Sequence, residues 1–422
     1  MSGNRLTKLS LAIGLSVTTT AALASPQAFM SSRSFAMGGT GVAVAHPAAA
    51  GMSNPAMLAA DHHQWSDDFG LILPSVNARM ADEEETIDQI DDIQDTIDRF
   101  EDLDRGSNPA EAQNAAAELR RQLNEFDRDT VRTDVGLGLA VAIPTDSYSV
   151  GFFTSANLQA TVRGEFDEDD DAFLAALENA DAATLEAADL DRDLQSRGRV
   201  LASAVVEAGV SFARSLELDN GNSLQLGVSP KYVQLRTFQY TETVAGFEDD
   251  DFDEDDNETT KSGFNVDFGA AYAFGEEQRW NAGVVVRNLI PMELDSAASD
   301  DPRKMEEEHT LELNPMVTAG IAHKGQFHVL TAEVDLTKKE GFGYADDTQW
   351  LAVGAEFDAF RYAQLRAGVR QNLASNDDND GIEEKTQFTA GIGLSPFGAR
   401  LDIGALISDA DVGAAIELGA AF

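Results

Sequence analysis

The 422-residue chain contains no cysteine, and only 30 Lys and Arg stand against 74 Asp and Glu, a formal charge of -44. Without cysteine there is no disulfide framework, thiolate metal site, redox motif or cysteine nucleophile. So negative a chain has no electrostatic means of gripping nucleic acid or anionic headgroups, and no nucleic acid is expected among its partners. Histidine is scarce too, at six. His62-His63 lacks an H-E-x-x-H context, no G-x-S-x-G elbow occurs, and Gly39-Thr40-Gly41 does not follow a strand in a βαβ unit. His309, His323 and His328 have no nucleophile pattern beside them, so neither catalytic residues nor a cofactor are expected. Asn376-Asp377-Asp378-Asn379-Asp380-Gly381 resembles half a calcium loop, but Gln387 stands where the bidentate Glu belongs, and no metal site is assigned.

A long apolar helix is also missing. The stretch Ser34–Ala60 carries no Asp, Glu, Lys or Arg, but His46, Pro47, Asn54 and Pro55 interrupt it. A lipid-exposed helix there would be broken and unsatisfied, so the segment is read as irregular chain covered by protein. Residues 1–24 carry Arg5 and Lys8, the apolar run Leu9–Val17, and Ala22-Leu23-Ala24 before Ser25. This is the pattern of a cleaved signal peptide, so an exported protein is expected.

Periodicity narrows the exported classes. Phe264, Val266, Phe268, Ala270, Tyr272 and Phe274 alternate with Asn265, Asp267, Gly269, Ala271 and Ala273. The same period of two recurs in 280–287, 364–370 and 388–394, with aromatics near strand ends, as in membrane-spanning strands. Candidate strands lie near 66–80, 134–144, 147–163, 199–216, 223–241, 262–274, 279–291, 309–323, 326–337, 348–358, 361–372, 386–395, 399–407 and 412–422. Every second connection is a tight turn: Pro144-Thr145-Asp146, Asp219–Asn222, Gly275-Glu276-Glu277, Lys324-Gly325, Asp358-Ala359-Phe360 and Ser395–Gly398. The other connections are long and mostly acidic, including Glu248–Glu258 with nine carboxylates in eleven residues. Short turns on one side and long loops on the other predict an all-β fold: a transmembrane antiparallel β-barrel of about 14 strands in a Gram-negative outer membrane, in contact with its lipid. The last strand ends in Phe422, which looks like the signal read by the barrel-assembly machinery.

Two insertions break the β pattern. Ile87, Ile90, Ile93, Ile97 and Phe100 recur at helical spacing, and Pro109 opens a second helix with Leu119, Leu123 and Phe126 on one side. A helical hairpin over the outer mouth is expected at 82–130, with a weaker echo at 168–196. The acidic, lysine-poor loops look adapted to a salty exterior, where screening limits self-repulsion. By the alternation, Glu207, Lys231, Asp267, Arg287, Glu333, Asp335, Glu356, Arg366, Arg370 and Asp402 point into the lumen, where mixed charges pair with one another or form a polar track for a solute.

Ser34–Ala43 followed by Ser53-Asn54-Pro55-Ala56 resembles the opening of the FadL-type long-chain fatty-acid transporters. That resemblance implies a 14-stranded barrel whose N-terminal segment, here 25–64 with Gly38, Gly39, Gly41, Asn54, Pro55 and Ala56, is an internal plug, and 65–422 the barrel. More narrowly, Val286–Ile290, Glu333–Thr337 and Gly354–Phe360 followed by Leu365–Gly368 resemble the TraF-type conjugal-transfer barrels. A FadL-like relative implies passive uptake of a hydrophobic solute, released sideways or past the plug. The acidic outer loops depart from that family and disfavour an anionic solute, while a neutral or cationic hydrophobic compound meets no such barrier. The TraF-type resemblance implies the alternative: an accessory or structural outer-membrane role in conjugal plasmid transfer.

Overall fold

A computed structural model describes residues 29–60, 70–82, 84–143, 148–245, 257–302, 304–359, 362–376 and 382–421. The expected signal segment, His62-His63, the turn Pro144-Thr145-Asp146, most of Glu248–Glu258, residues 377–381 of the Asx-rich turn, and Phe422 lie outside them.

Strands β1 (Gly70–Asp82), β2 (Thr130–Ile143), β3 (Ser149–Glu165), β4 (Arg197–Glu217), β5 (Ser223–Thr243), β6 (Glu258–Phe274) and β7 (Trp280–Arg287) form one run of antiparallel neighbours. The wall continues through β10 (Met316–Lys324), β11 (His328–Asp335), β12 (Trp350–Ala359), β13 (Ala363–Asn372), β14 (Gln387–Leu394), β15 (Ala399–Ile407) and β16 (Asp411–Ala421). β16 pairs with β1, closing a barrel of fourteen strands. Closure satisfies every edge, which is what allows strands to cross lipid.

The alternation sorts the side chains as a membrane barrel requires. In β14, Phe388, Ile392 and Leu394 are exposed while Gln387 and Thr389 are buried. Apolar residues therefore face outward and polar residues inward, the inverse of a water-soluble core. Tyr272, Phe274 and Trp280 stack beside the β6–β7 turn at centroid distances of 5.5 and 6.4 Å, forming part of an interfacial girdle. Among the described residues no helix is long and apolar enough to cross a membrane.

The structure corrects the expected strands 279–291 and 309–323. β7 stops at Arg287, because Asn288 turns to φ 54° and gives its N–H to Asp267 Oδ1 at 2.8 Å. Pro291 and Pro315 then deny the ladder its donors. Between them β8 (Met292–Asp295) and β9 (Thr310–Leu313) form a separate hairpin. Its Met292, Leu311 and Leu313 pack against Leu201, Val205, Val233 and Leu235 on the inner wall, together with Phe342.

The helical insertions form a cap of five helices, the longest being Thr86–Asp102 and Pro109–Phe126. Ile93, Ile97, Phe100, Leu119, Leu123, Phe126, Leu174 and Leu185 are buried together, so most of the apolar stripe is covered within the cap itself, while Ile87 and Ile90 stay half-buried. Phe100 is 0% exposed, and Phe100→Ala should cost the cap about 3–5 kcal/mol. Amide exchange should then accelerate across 86–126 and stay unchanged in β10–β16. Equal loss of protection in both would mean that cap and wall unfold as one unit.

Candidate functional site

Residues 29–60 lie inside the barrel as a plug with little regular structure: one helical turn, Ser32–Ala36, and two 3₁₀ turns, Pro47–Met52 and Pro55–Ala59. So irregular a segment must find its backbone partners elsewhere. Glu333 of β11 accepts N–H groups from Gly41, Val42 and Ala43 at 2.9, 2.8 and 3.0 Å. Asn281 of β7 donates to Ala43 O at 2.7 Å, and Arg287 donates to Ser53 O at 2.7 Å. Glu417 of β16 and Thr389 of β14 take the N–H groups of Ser32 and Gly38. Gly38 and Gly39 adopt φ 74° and 87°, a pair of left-handed residues that only glycine enters without strain.

The Asn54-Pro55-Ala56 segment is fully buried. Asn54 Oδ1 accepts the Ala56 N–H at 3.0 Å while its Nδ2 donates to Val42 O at 2.7 Å, so one side chain caps a 3₁₀ turn and ties it to the preceding chain. Around it Ala48, Ala50, Met57 and Leu58 pack on Ile72, Ala140, Phe153 and Ala271 of the wall.

The inward polar residues fall into separate groups. Lys231 bridges Glu207 and Asp267 at 2.7 and 2.8 Å. Glu356 receives Arg366 at 2.7 Å and Arg33 of the plug at 2.8 Å, and Arg366 reaches on to Asp402, which Arg400 also contacts. Glu333 and Arg287 hold the plug. Asp335 accepts from Thr318 Oγ1 and the Trp350 N–H, at 2.7 and 3.0 Å. Arg370 donates to Gln387 at 2.6 Å and lies over the Trp350 ring.

A further buried charge group was not among the sequence candidates. Arg79 and Arg132 are buried with Asp134, Glu384 and Asp411, with contacts of 2.5 Å from Arg79 to Glu384 and 2.6 Å from Arg132 to Asp411. Burial alone would raise Glu384, but the Arg132 and Arg79 guanidiniums overcome it and hold its carboxyl well below the usual range. Arg33 and Asn281 were missed as well.

Three features bear on passage. The hairpin cluster around Leu311 and Phe342 fills the lumen beside β4 and β5. A cavity of about 130 Å³ lies between the plug and the wall, lined among others by Gly39, Met52, Glu333, Lys339, Trp350 and Arg370. On the lipid-facing side a groove lined by Leu139, Phe152, Val210, Tyr232 and Phe264 runs past Pro230. There the β4–β5 pairing is interrupted between Gly209↔Lys231 and Phe212↔Val228.

The same fold is found in solved outer-membrane channels. Among solved structures, a TodX monoaromatic hydrocarbon channel lacking S2 and S3 matches at TM-score 0.53 and 12% identity, over 93% of this chain and 99% of its own. The CymD monoaromatic hydrocarbon channel matches at TM-score 0.53 and 12% identity, over 94% and 99%. The Pseudomonas putida toluene transporter TodX matches at TM-score 0.51 and 12% identity, over 94% and 99%. No curated protein sequence matches the chain. The family model described as F plasmid transfer operon, TraF, protein matches residues 51–336, most of the 422-residue sequence, and the chain belongs to that family.

Proposed function

We propose that the protein is a plugged outer-membrane channel that takes up a hydrophobic solute passively. The observation that carries this reading is the Asn54-Pro55-Ala56 plug seated in a fourteen-stranded barrel, in a chain that superposes over nine-tenths of its length on hydrocarbon channels. The plug and the β8–β9 hairpin pack against the inner wall, so on this reading a solute passes when one of them shifts. The groove at Pro230 supports a sideways exit into lipid, since a proline inside a strand leaves the wall without one of its donors. On this reading residues 25–64 are the plug, 65–422 the barrel, and Glu333, Arg287 and Glu356 hold the plug rather than the solute. Removal of the signal peptide after Ala24 and recognition of the strand ending at Phe422 by the barrel-assembly machinery complete the route to the membrane.

The family's description supports a second reading, an accessory role in conjugal transfer. It calls for a partner surface on the outer helices, and burial of Ile97 within the cap, with Ile90 half-buried beside it, leaves only Ile87 and part of Ile90 of the expected apolar stripe to supply one.

Ligand extraction and mass spectrometry on protein purified from outer membranes tests the channel. A specific hydrophobic compound should accompany the wild type and fall at least tenfold in Asn54→Ala/Pro55→Ala. Only bulk lipid in both would end the channel reading and turn attention to the cap.

A further inference from the structure

The cavity between plug and wall is unusual for so acidic a chain. Four cationic side chains line it, Arg33, Arg287, Lys339 and Arg370, against two carboxylates, Glu333 and Asp335. Both carboxylates are already occupied: Glu333 by three plug N–H groups, Asp335 by Thr318 and the Trp350 backbone. Arg33 is neutralised by Glu356. Among the cationic and indole groups that line it, the capacity left over is for donation. Arg370 is 4% exposed and its Nη2 has no acceptor, and the buried Trp350 Nε1 has none either. The Lys339 ammonium forms no ion pair among the described residues, and burial, opposed by the more distant Asp134 and Glu384, pushes its pKa down to about 8. A buried donor without an acceptor is costly, and three around one cavity call for a shared acceptor. Gly39, Met52, Val42 and Val44 also line it and bring no side-chain acceptor, and Ser34, Thr40 and Ser53 bring only neutral hydroxyls.

We propose that this cavity is a binding site for a small monovalent anion, held by the Lys339 ammonium, Arg370 Nη2 and Trp350 Nε1 between the plug and β12–β13. The ligand is a free halide or the carboxylate of a small organic acid, and both present the same acceptor chemistry. The site is independent of the channel reading: an anion bridging plug and wall is expected whether or not a solute passes.

Bromide titration at constant ionic strength, followed by tryptophan fluorescence of the detergent-solubilised full chain, tests it. Trp350 lies in the cavity wall, so occupancy should give a saturable quench above the linear background from the other tryptophans, and Trp350→Phe should remove it. Loss of one charge-assisted hydrogen bond should weaken binding about tenfold or more, both in Lys339→Gln and in Arg370→Gln. Lys339 is the less buried of the two, so its variant keeps the test usable if Arg370→Gln does not yield a heat-modifiable barrel. A parallel titration with sodium benzoate, competing with bromide, separates the sources: tighter benzoate binding names an organic acid, and bromide binding alone names a free halide. A purely linear quench, or a saturable one unchanged in both variants, would overturn the site.

Discussion

Glu333→Ala should unlatch the plug while leaving the barrel closed. Glu333 is 5% exposed and serves as acceptor for three consecutive plug N–H groups, so its removal strands three buried donors at once. Each unsatisfied donor costs about 1–3 kcal/mol, and because the three share one acceptor the sum is best taken as about 3 kcal/mol. That corresponds to roughly a hundredfold rise in the population with 41–43 released. Exchange of the Gly41, Val42 and Ala43 amides should accelerate by that factor, and conductance in planar bilayers should rise from its closed level. Strand amides of β12–β16 should keep their protection. Glu333→Gln retains one acceptor oxygen and loses the charge, so it should fall between the two. Unchanged amide protection in Glu333→Ala would show that the plug is held by its apolar packing instead.

The wall was legible because a barrel strand writes its geometry directly into the sequence. Lipid outside and plug inside force a period of two, and the short turns punctuate it; Ala399–Ile407 and Gln387–Leu394 fall within a residue or so of where alternation places them. The failure at 279–323 has the same root. Thr310–Leu313 alternates as well as any wall strand, but its apolar side meets the lumen cluster of Leu201 and Val233 rather than lipid, and periodicity cannot say which apolar environment is being matched.

The interior charges were legible only where alternation runs unbroken. Glu333, Glu356, Arg366 and Asp402 follow directly from parity. Arg79 does not, because β1 shifts register between Leu73 and Ser75 at Pro74, and every residue beyond the shift faces opposite to extrapolation. Arg132 falls just before the expected start of its strand. Glu384 comes from the connection before β14, so only the folded chain brings it to Arg79. Asn281 was visible on the polar side of β7, but nothing local reveals that its partner is Ala43, more than two hundred residues away.

Gly269→Val should have the opposite signature to loss of a hydrogen bond: intact donors and acceptors, with no room for them to meet. A Cβ at Gly269 would overlap Asn54 Oδ1 and crowd Ala56 N and Pro55 Cδ at 3.0 Å. On the neighbouring strand Gly227 lies as close to the Pro55 backbone, so the Asn-Pro-Ala turn is seated on two side-chain-free positions of β5 and β6. Ordinary overpacking costs about 1–3 kcal/mol because side chains yield, but here the obstacle is a 3₁₀ turn pinned by its own cap, and the plug must move as a unit. Valine is a good strand former, so β6 and barrel closure should survive. The expected result is a heat-modifiable barrel in which Asn54–Leu58 becomes open to protease and exchanges its amides at least a hundredfold faster. Gly198→Val is the control, since nothing lies within 4 Å of its Cβ position, and it should leave the plug as it is. A Gly269→Val barrel with wild-type protection at 54–58 would mean that the plug does not rest against β6, and it would then have to be held by the polar contacts from β7, β11, β12, β14 and β16.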